Sequence, residues 1–138
     1  MKAKVTLIDK LQFCAIADSN HAIIIDADKE MSYDQGSRPK ELVLMGLLSC
    51  TGMDVVSLLN KMRVSYVDVI ISGEAESTDE HPKYFKKIHI EYKVIGNNID
   101  RSKVEKAINL SQERYCGVSF MLGKAAEITH SLIIEEPK

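Results

Sequence analysis

The residues of this chain best suited to chemistry are its three cysteines, Cys14, Cys50 and Cys116. An ionised thiol is a nucleophile, and it is also the entry point to sulfenic acid and disulfide formation. Cys50 stands inside 41-ELVLMGLLSCTGMDVVSLLNKM-62, a mostly apolar stretch. There it is either a small buried hydrophobe or a thiol that the segment exists to present. Gly46 lies one turn before it, and Ser49, Thr51 and Gly52 flank it. Each glycine costs a helix about 1 kcal/mol relative to alanine. Such small residues serve either close helix packing or room beside the sulfur. Cys116 lies in 111-SQERYCGVSF-120, where one helical pattern gives way to another. A helix starting near Gly117 would turn its unpaired N–H groups and positive dipole end toward that sulfur, a setting that favours thiolates; the other reading is a cysteine capping a core helix. Cys14, among strand-like neighbours in 11-LQFCAIA-17, reads as packing.

Other chemistries find less support. His21, His81, His89 and His130 are scattered, without HExxH or CxxC spacing, so no metal site is expected. His89 reads as a solvated side chain and His130 as a core histidine. Glycine-rich phosphate loops and a serine nucleophile elbow are absent.

The elements that must position the thiols follow from periodicity. In 3-AKVTL-7, Ala3, Val5 and Leu7 alternate with polar residues, and 11-LQFCAIA-17 and 22-AIIID-26 continue the β-rich character. A polar loop over 27–38 precedes Pro39, which suits a first helical turn, with Ser37 as a candidate cap. From Glu41 to about Met62 the spacing is helical. Leu44, Leu48, Thr51, Val55, Leu59 and Met62 form a stripe, and Leu47, Val56 and Leu58 widen it. The first half is apolar nearly all round, which predicts a helix enclosed by other structure. Two strands, 66–77 and 84–96, each show one apolar and one polar face, the pattern of an antiparallel pair. The capping-box spelling 102-SKVE-105 predicts a helix from about Lys103 to Tyr115, then a second helical piece over 117–126. A closing strand, 128-ITHSLIIEE-136, completes the order βββ-α-ββ-αα-β and an α+β class.

Composition sets outer bounds. The chain has 138 residues, 45% hydrophobic and 28% charged, which suits one soluble domain. A net charge of −2 without basic blocks points away from nucleic acid. No export signal is legible at the N-terminus, and the apolar run between Glu41 and Asp54 is too short to span a bilayer. A cytoplasmic protein with reduced thiols and no membrane partner is the expectation.

With these elements in place, the chain resembles the OsmC/Ohr family of osmotically inducible and organic-hydroperoxide-resistance proteins. The likeness is carried by 39-PKELVLMGLLSC-50, 54-DVVSLLNKM-62, 113-ERYCGVSFML-122 and 128-ITHSL-132. Its most specific features are the Pro–x–Glu-led helix bearing one cysteine and a second cysteine at a helix start. It is most similar to the OsmC-like branch without a well-assigned substrate. The resemblance implies a single OsmC-like domain over 1–138, with antiparallel sheets wrapped around a long central helix in an intertwined homodimer. It implies thiol-dependent reduction of organic hydroperoxides in oxidative-stress defence. Cys50 would be the peroxidatic thiolate and Cys116 the resolving thiol, with an external dithiol as reductant and no bound cofactor. In the family's peroxidases a glutamate directly follows the helix-opening proline and orients an arginine from the N-terminal strands against the thiolate. Here that position is Lys40, and no arginine precedes Arg38. Glu41 and Arg38 are therefore the candidates for activation or positioning. The alternative is a non-enzymatic dimer that binds an apolar small molecule or handles sulfur and redox signals through the same cysteines.

Overall fold

A computed structural model describes the whole chain, Met1–Lys138. The strands are β1 (Ala3–Asp9), β2 (Gln12–Ala17), β3 (Ile23–Ile25), β4 (Asp68–Ser77), β5 (Phe85–Ile95) and β6 (Glu127–Glu135). The helices are α1 (Pro39–Lys61), α2 (Arg101–Leu110) and α3 (Gly117–Leu122), with a π-helical turn over Ser111–Tyr115 between the last two. The α+β class and the element order agree with the sequence. Contacts divide the chain into two compact units, Met1–Val43 and Leu44–Lys138.

The first unit is an antiparallel meander, β1-β2-β3, followed by the loop that leads into α1. Asp26 organises the loop. Its carboxylate accepts from Gln12 Nε2 at 3.1 Å, Gln35 N at 3.0 Å and Ala27 N at 2.8 Å. Burial pushes this carboxyl up, but the neighbouring Ser32 hydroxyl and the N–H donors of Gln35, Ala27 and Gln12 outweigh it, leaving a pKa of about 2. Pro39 opens α1 as expected. The cap, however, is not Ser37, whose carbonyl accepts from Asp26 N at 3.2 Å. Arg38 takes the N-cap position, its carbonyl accepting from Leu42 N at 3.1 Å. Three residues on, Glu41 Oε2 accepts from Arg38 N at 2.8 Å, the reciprocal half of a capping box.

In the second unit, α1 buries Leu47, Thr51, Val55 and Leu59 completely. Leu47, Val55 and Leu59 join Ile88, Ile90, Tyr92 and Val94 of β5 and Val104, Ala107 and Ile108 of α2 in one core. By length and composition α1 could cross a membrane, but this stripe packs as a core helix does. Gly73 lets α1 approach β4 closely: a Cβ there would lie 2.8 Å from Leu48 Cδ2. One expectation fails along α1. Its first half is not enclosed within the chain, for Val43 and Met45 are exposed.

The sheets are not both antiparallel. β4 and β5 pair antiparallel, but β6 runs parallel to β5, with Ile90 opposite His130 and Tyr92 opposite Leu132. A crossover through α2, the π turn and α3 returns the chain to the same end of the sheet, which is what a parallel neighbour requires. Two local expectations also change. The cap of α2 is Asp100, whose Oδ1 accepts from Ser102 N at 3.0 Å and Ser102 Oγ at 2.7 Å. The predicted helix to Tyr115 stops at Leu110, and the following residues widen into the π turn, closed by Cys116 N donating to Ser111 O at 2.8 Å.

Candidate active site: a dithiol beside a buried hydroxyl network

Cys50 and Cys116 are brought together. Their sulfurs and a carboxylate oxygen of Asp54 all lie within 4.8 Å of one another. Cys50 and Asp54 share a face of α1 because residues four apart stack one turn above the other. Cys116 arrives from the end of the π turn as the N-cap of α3, where its sulfur accepts from Ser119 N at 3.3 Å. A helix therefore does begin at Gly117, and its first N–H groups do face sulfur. Val118 N–H points to Cys50 in the same way. Cys116 is buried and Cys50 half-buried, and both thiols are free.

The electrostatics of Cys50 run against ready ionisation. Burial raises its pKa most, hydrogen bonding with Cys116 and the nearby charges of Cys116 and Asp54 add to the rise, and only the Val118 amide opposes it.

Behind the thiols lies a buried hydroxyl network that the sequence did not announce. Thr51 Oγ1 is 2.6 Å from Tyr92 OH and 2.9 Å from Ser111 Oγ. Gln112 Nε2 donates to Tyr92 OH at 2.7 Å and to Thr51 Oγ1 at 3.1 Å. Ser111 Oγ in turn donates to Asp54 Oδ2 at 2.9 Å. Burial pushes the Tyr92 phenol up, so it remains a neutral partner. The π turn is what aims Ser111 and Gln112 inward. A C-x-x-x-D spacing at 50–54 was the legible signal for Asp54; Ser111, Gln112 and Tyr92 carried none.

The two expected helpers are committed elsewhere. Glu41 caps its own helix. The Arg38 guanidinium donates to Asp34 at 2.5 Å and to Gly36 O at 2.8 Å, and Asp34 holds it firmly protonated. Neither is among the groups acting most strongly on Cys50. His89 bonds Thr129 at 2.8 Å and Ser131 at 3.0 Å on an exposed face. His130 is exposed rather than core, edge-on to Tyr92 with centroids 6.0 Å apart.

Two cavities flank the helix. A cavity of about 180 Å³ is lined by Asp54, Ser57, Leu58, Lys61 and Tyr115. A larger apolar groove, about 530 Å³, includes Met45, Leu48, Gly52, Met53, Val56 and Ile71 in its lining. Met45, Leu48, Gly52 and Val56 lie roughly 160–240° round the helix from Cys50, so the greasiest surface is not the one over the thiol.

The comparisons with known proteins agree with this architecture. The family described as OsmC-like protein matches residues 32–131. The chain belongs to the OsmC-like family. It is 37% identical over 131 residues to Protein YhfA of Escherichia coli K12, covering 95% of this chain and 96% of that one. A hypothetical protein of Aquifex aeolicus superposes with a TM-score of 0.88 at 26% identity, covering 99% and 97% of the two chains. The organic hydroperoxide resistance protein OhrB of Bacillus subtilis does so at 0.63 and 19% identity, over 96% of this chain and 98% of its own, a likeness of fold alone. The OsmC-like fold thus includes hydroperoxide-resistance proteins as structural neighbours of this dithiol-bearing chain.

Proposed function

We propose that this OsmC-like protein reduces organic hydroperoxides through its thiols, as a cytoplasmic homodimer that serves oxidative-stress defence. The observation that carries the reading is the approach of Cys50 and Cys116 to within 4.8 Å, although they come from distant parts of the chain. The Cys50 thiolate attacks the peroxide, taking one oxygen as sulfenic acid while the other leaves as alkoxide and picks up a proton. The Cys116 thiolate then attacks the Cys50 sulfur, the disulfide forms and hydroxide departs as water. An external dithiol reduces the bridge and is itself oxidised. Half-buried Cys50 suits the attacking role and buried Cys116 the resolving role. The exposed Val67 and Ile70 are surfaces a second copy would cover.

Stoichiometric cumene hydroperoxide should produce a Cys50–Cys116 bridge, seen by peptide mass spectrometry as a loss of two hydrogens. Cys50→Ser should end peroxide consumption, and Cys116→Ser should leave a dimedone-trappable sulfenic acid on Cys50. A Cys14→Ser variant as damaged as Cys50→Ser would refute the assignment. The apolar groove favours a second reading, a non-enzymatic binder of an apolar small molecule. That reading requires a fluorescent fatty-acid probe to bind the dimer in the groove, and Met53→Lys to remove the binding while leaving the thiols untouched.

A further inference from the structure

We propose that reduced Cys50 and Cys116, with the Asp54 carboxylate, form a three-ligand site for one thiophilic divalent cation of the zinc type. The inference does not depend on the peroxidase reading, since it concerns what the reduced pair binds and not what oxidises it.

Geometry is the first support. Three atoms no more than 4.8 Å apart share a point within about 2.8 Å of each. Side-chain movements of roughly 0.5–0.8 Å then reach the ~2.3 Å zinc–sulfur and ~2.0–2.2 Å zinc–oxygen bonds. Cys50 and Asp54 come from one face of α1 and Cys116 from the N-cap of α3, so rigid elements hold all three ligands.

The surroundings are the second support. Every ligand atom has a hydrogen-bond donor behind it. Val118 N–H serves Cys50, Ser119 N–H serves Cys116 at 3.3 Å, and Ser111 Oγ serves Asp54 at 2.9 Å. Ser111 is itself fixed by Thr51 at 2.9 Å, and Thr51 by Tyr92 at 2.6 Å. Metal ligands are ordinarily oriented by such outer partners. Donors of this kind orient anions but do not neutralise them. A divalent cation drawn into the cluster would balance the charge that two sulfurs and a carboxylate carry once they are its ligands.

Ligand type selects the ion. Two soft sulfurs exclude magnesium and calcium, which require oxygen sets, and suit zinc in a four-coordinate site. The cavity that Asp54 lines with Ser57, Leu58, Lys61 and Tyr115 gives a water molecule room to complete the set. Binding releases the two thiol protons to solvent and moves no electrons. A Cys50–Cys116 disulfide would remove both sulfur ligands, so cation and disulfide exclude one another.

The test is a titration of the reduced, full-length protein with cobalt(II) under inert gas, without peroxide. The expected result is one cobalt per chain, with sulfur-to-cobalt charge-transfer absorption and tetrahedral d–d bands, both displaced by zinc. Cys50→Ser and Cys116→Ser should each lose most of the charge transfer, and Asp54→Asn should weaken binding about tenfold or more while sulfur absorption persists. Cys14→Ser should bind normally, and diamide-oxidised protein should not bind. Circular dichroism checks that each variant is folded. Cobalt bound without sulfur absorption, no binding at all, binding unchanged in folded Asp54→Asn, or binding that survives oxidation would each overturn the proposal. None of these results bears on peroxide consumption, which the hydroperoxide assay reads separately.

Discussion

The two units each contain a low-exposure carboxylate tied into a hydrogen-bond network, and the two differ in what remains unused. Asp26, in the N-terminal unit, accepts from Gln12, Gln35 and Ala27, and its loop is built around those bonds. Asp54, in the C-terminal unit, accepts one hydrogen bond, from Ser111, and its other neighbours are two sulfurs. A saturated carboxylate reads as architecture; one with spare acceptor capacity beside nucleophiles reads as chemistry. The sheets differ in parallel fashion. The inward residues of β5 are fully buried, whereas every residue of β1 is exposed although both strands alternate in type.

The contrast can be broken by measurement. The largest effect is expected at Leu59, fully buried in the second unit's core. Leu59→Ala should cost about 2–5 kcal/mol in urea unfolding, because a cavity adds to the lost transfer energy. Next comes Thr51→Val, equal in shape but unable to bond Tyr92, Ser111 or Gln112. It should cost about 1–3 kcal/mol, and a value near zero would show that the hydroxyl network is not held as described. Leu7, 56% exposed in β1, should behave oppositely. Leu7→Ala should move unfolding of the isolated chain by no more than about 0.5 kcal/mol, with any larger effect confined to self-association measured by light scattering.

The last expectation appears only in acid and belongs to Asp26. Its folded pKa of about 2 lies below the ordinary 3.8, so its contribution to stability is fully present above the unfolded value. It is lost as pH falls through about 2. Hydrogen exchange at the Ala27 and Gln35 amides should therefore accelerate on strong acidification, and Asp26→Asn should remove that acid limb.

Much of the fold was legible. Alternation located the strands, and the stripe Leu44, Leu48, Thr51, Val55, Leu59 and Met62 located the packed side of α1, although Leu47, which only widened it, is the fully buried leucine of the first half. Cys116 was legible as a helix start because one helical pattern gives way to another just before Gly117. The candidate site was only half legible. Arg38 and Glu41 were candidates only as the nearest substitutes for the arginine and glutamate that the family resemblance implies, yet local partners satisfied both. Asp54 was overlooked because a lone acidic residue on a helix ordinarily faces water.

Taken alone, the sequence determined the periodic elements, the α+β class and the two helical contexts of the thiols, since these depend on neighbours within a turn or a strand. Only the tertiary structure decided that β6 returns parallel to β5 and that Ser111, Gln112 and Tyr92 close a network on Thr51. It alone decided that Cys50, Asp54 and Cys116 meet. Those outcomes depend on crossover direction and on a π turn that re-aims side chains, neither of which is written in any local repeat.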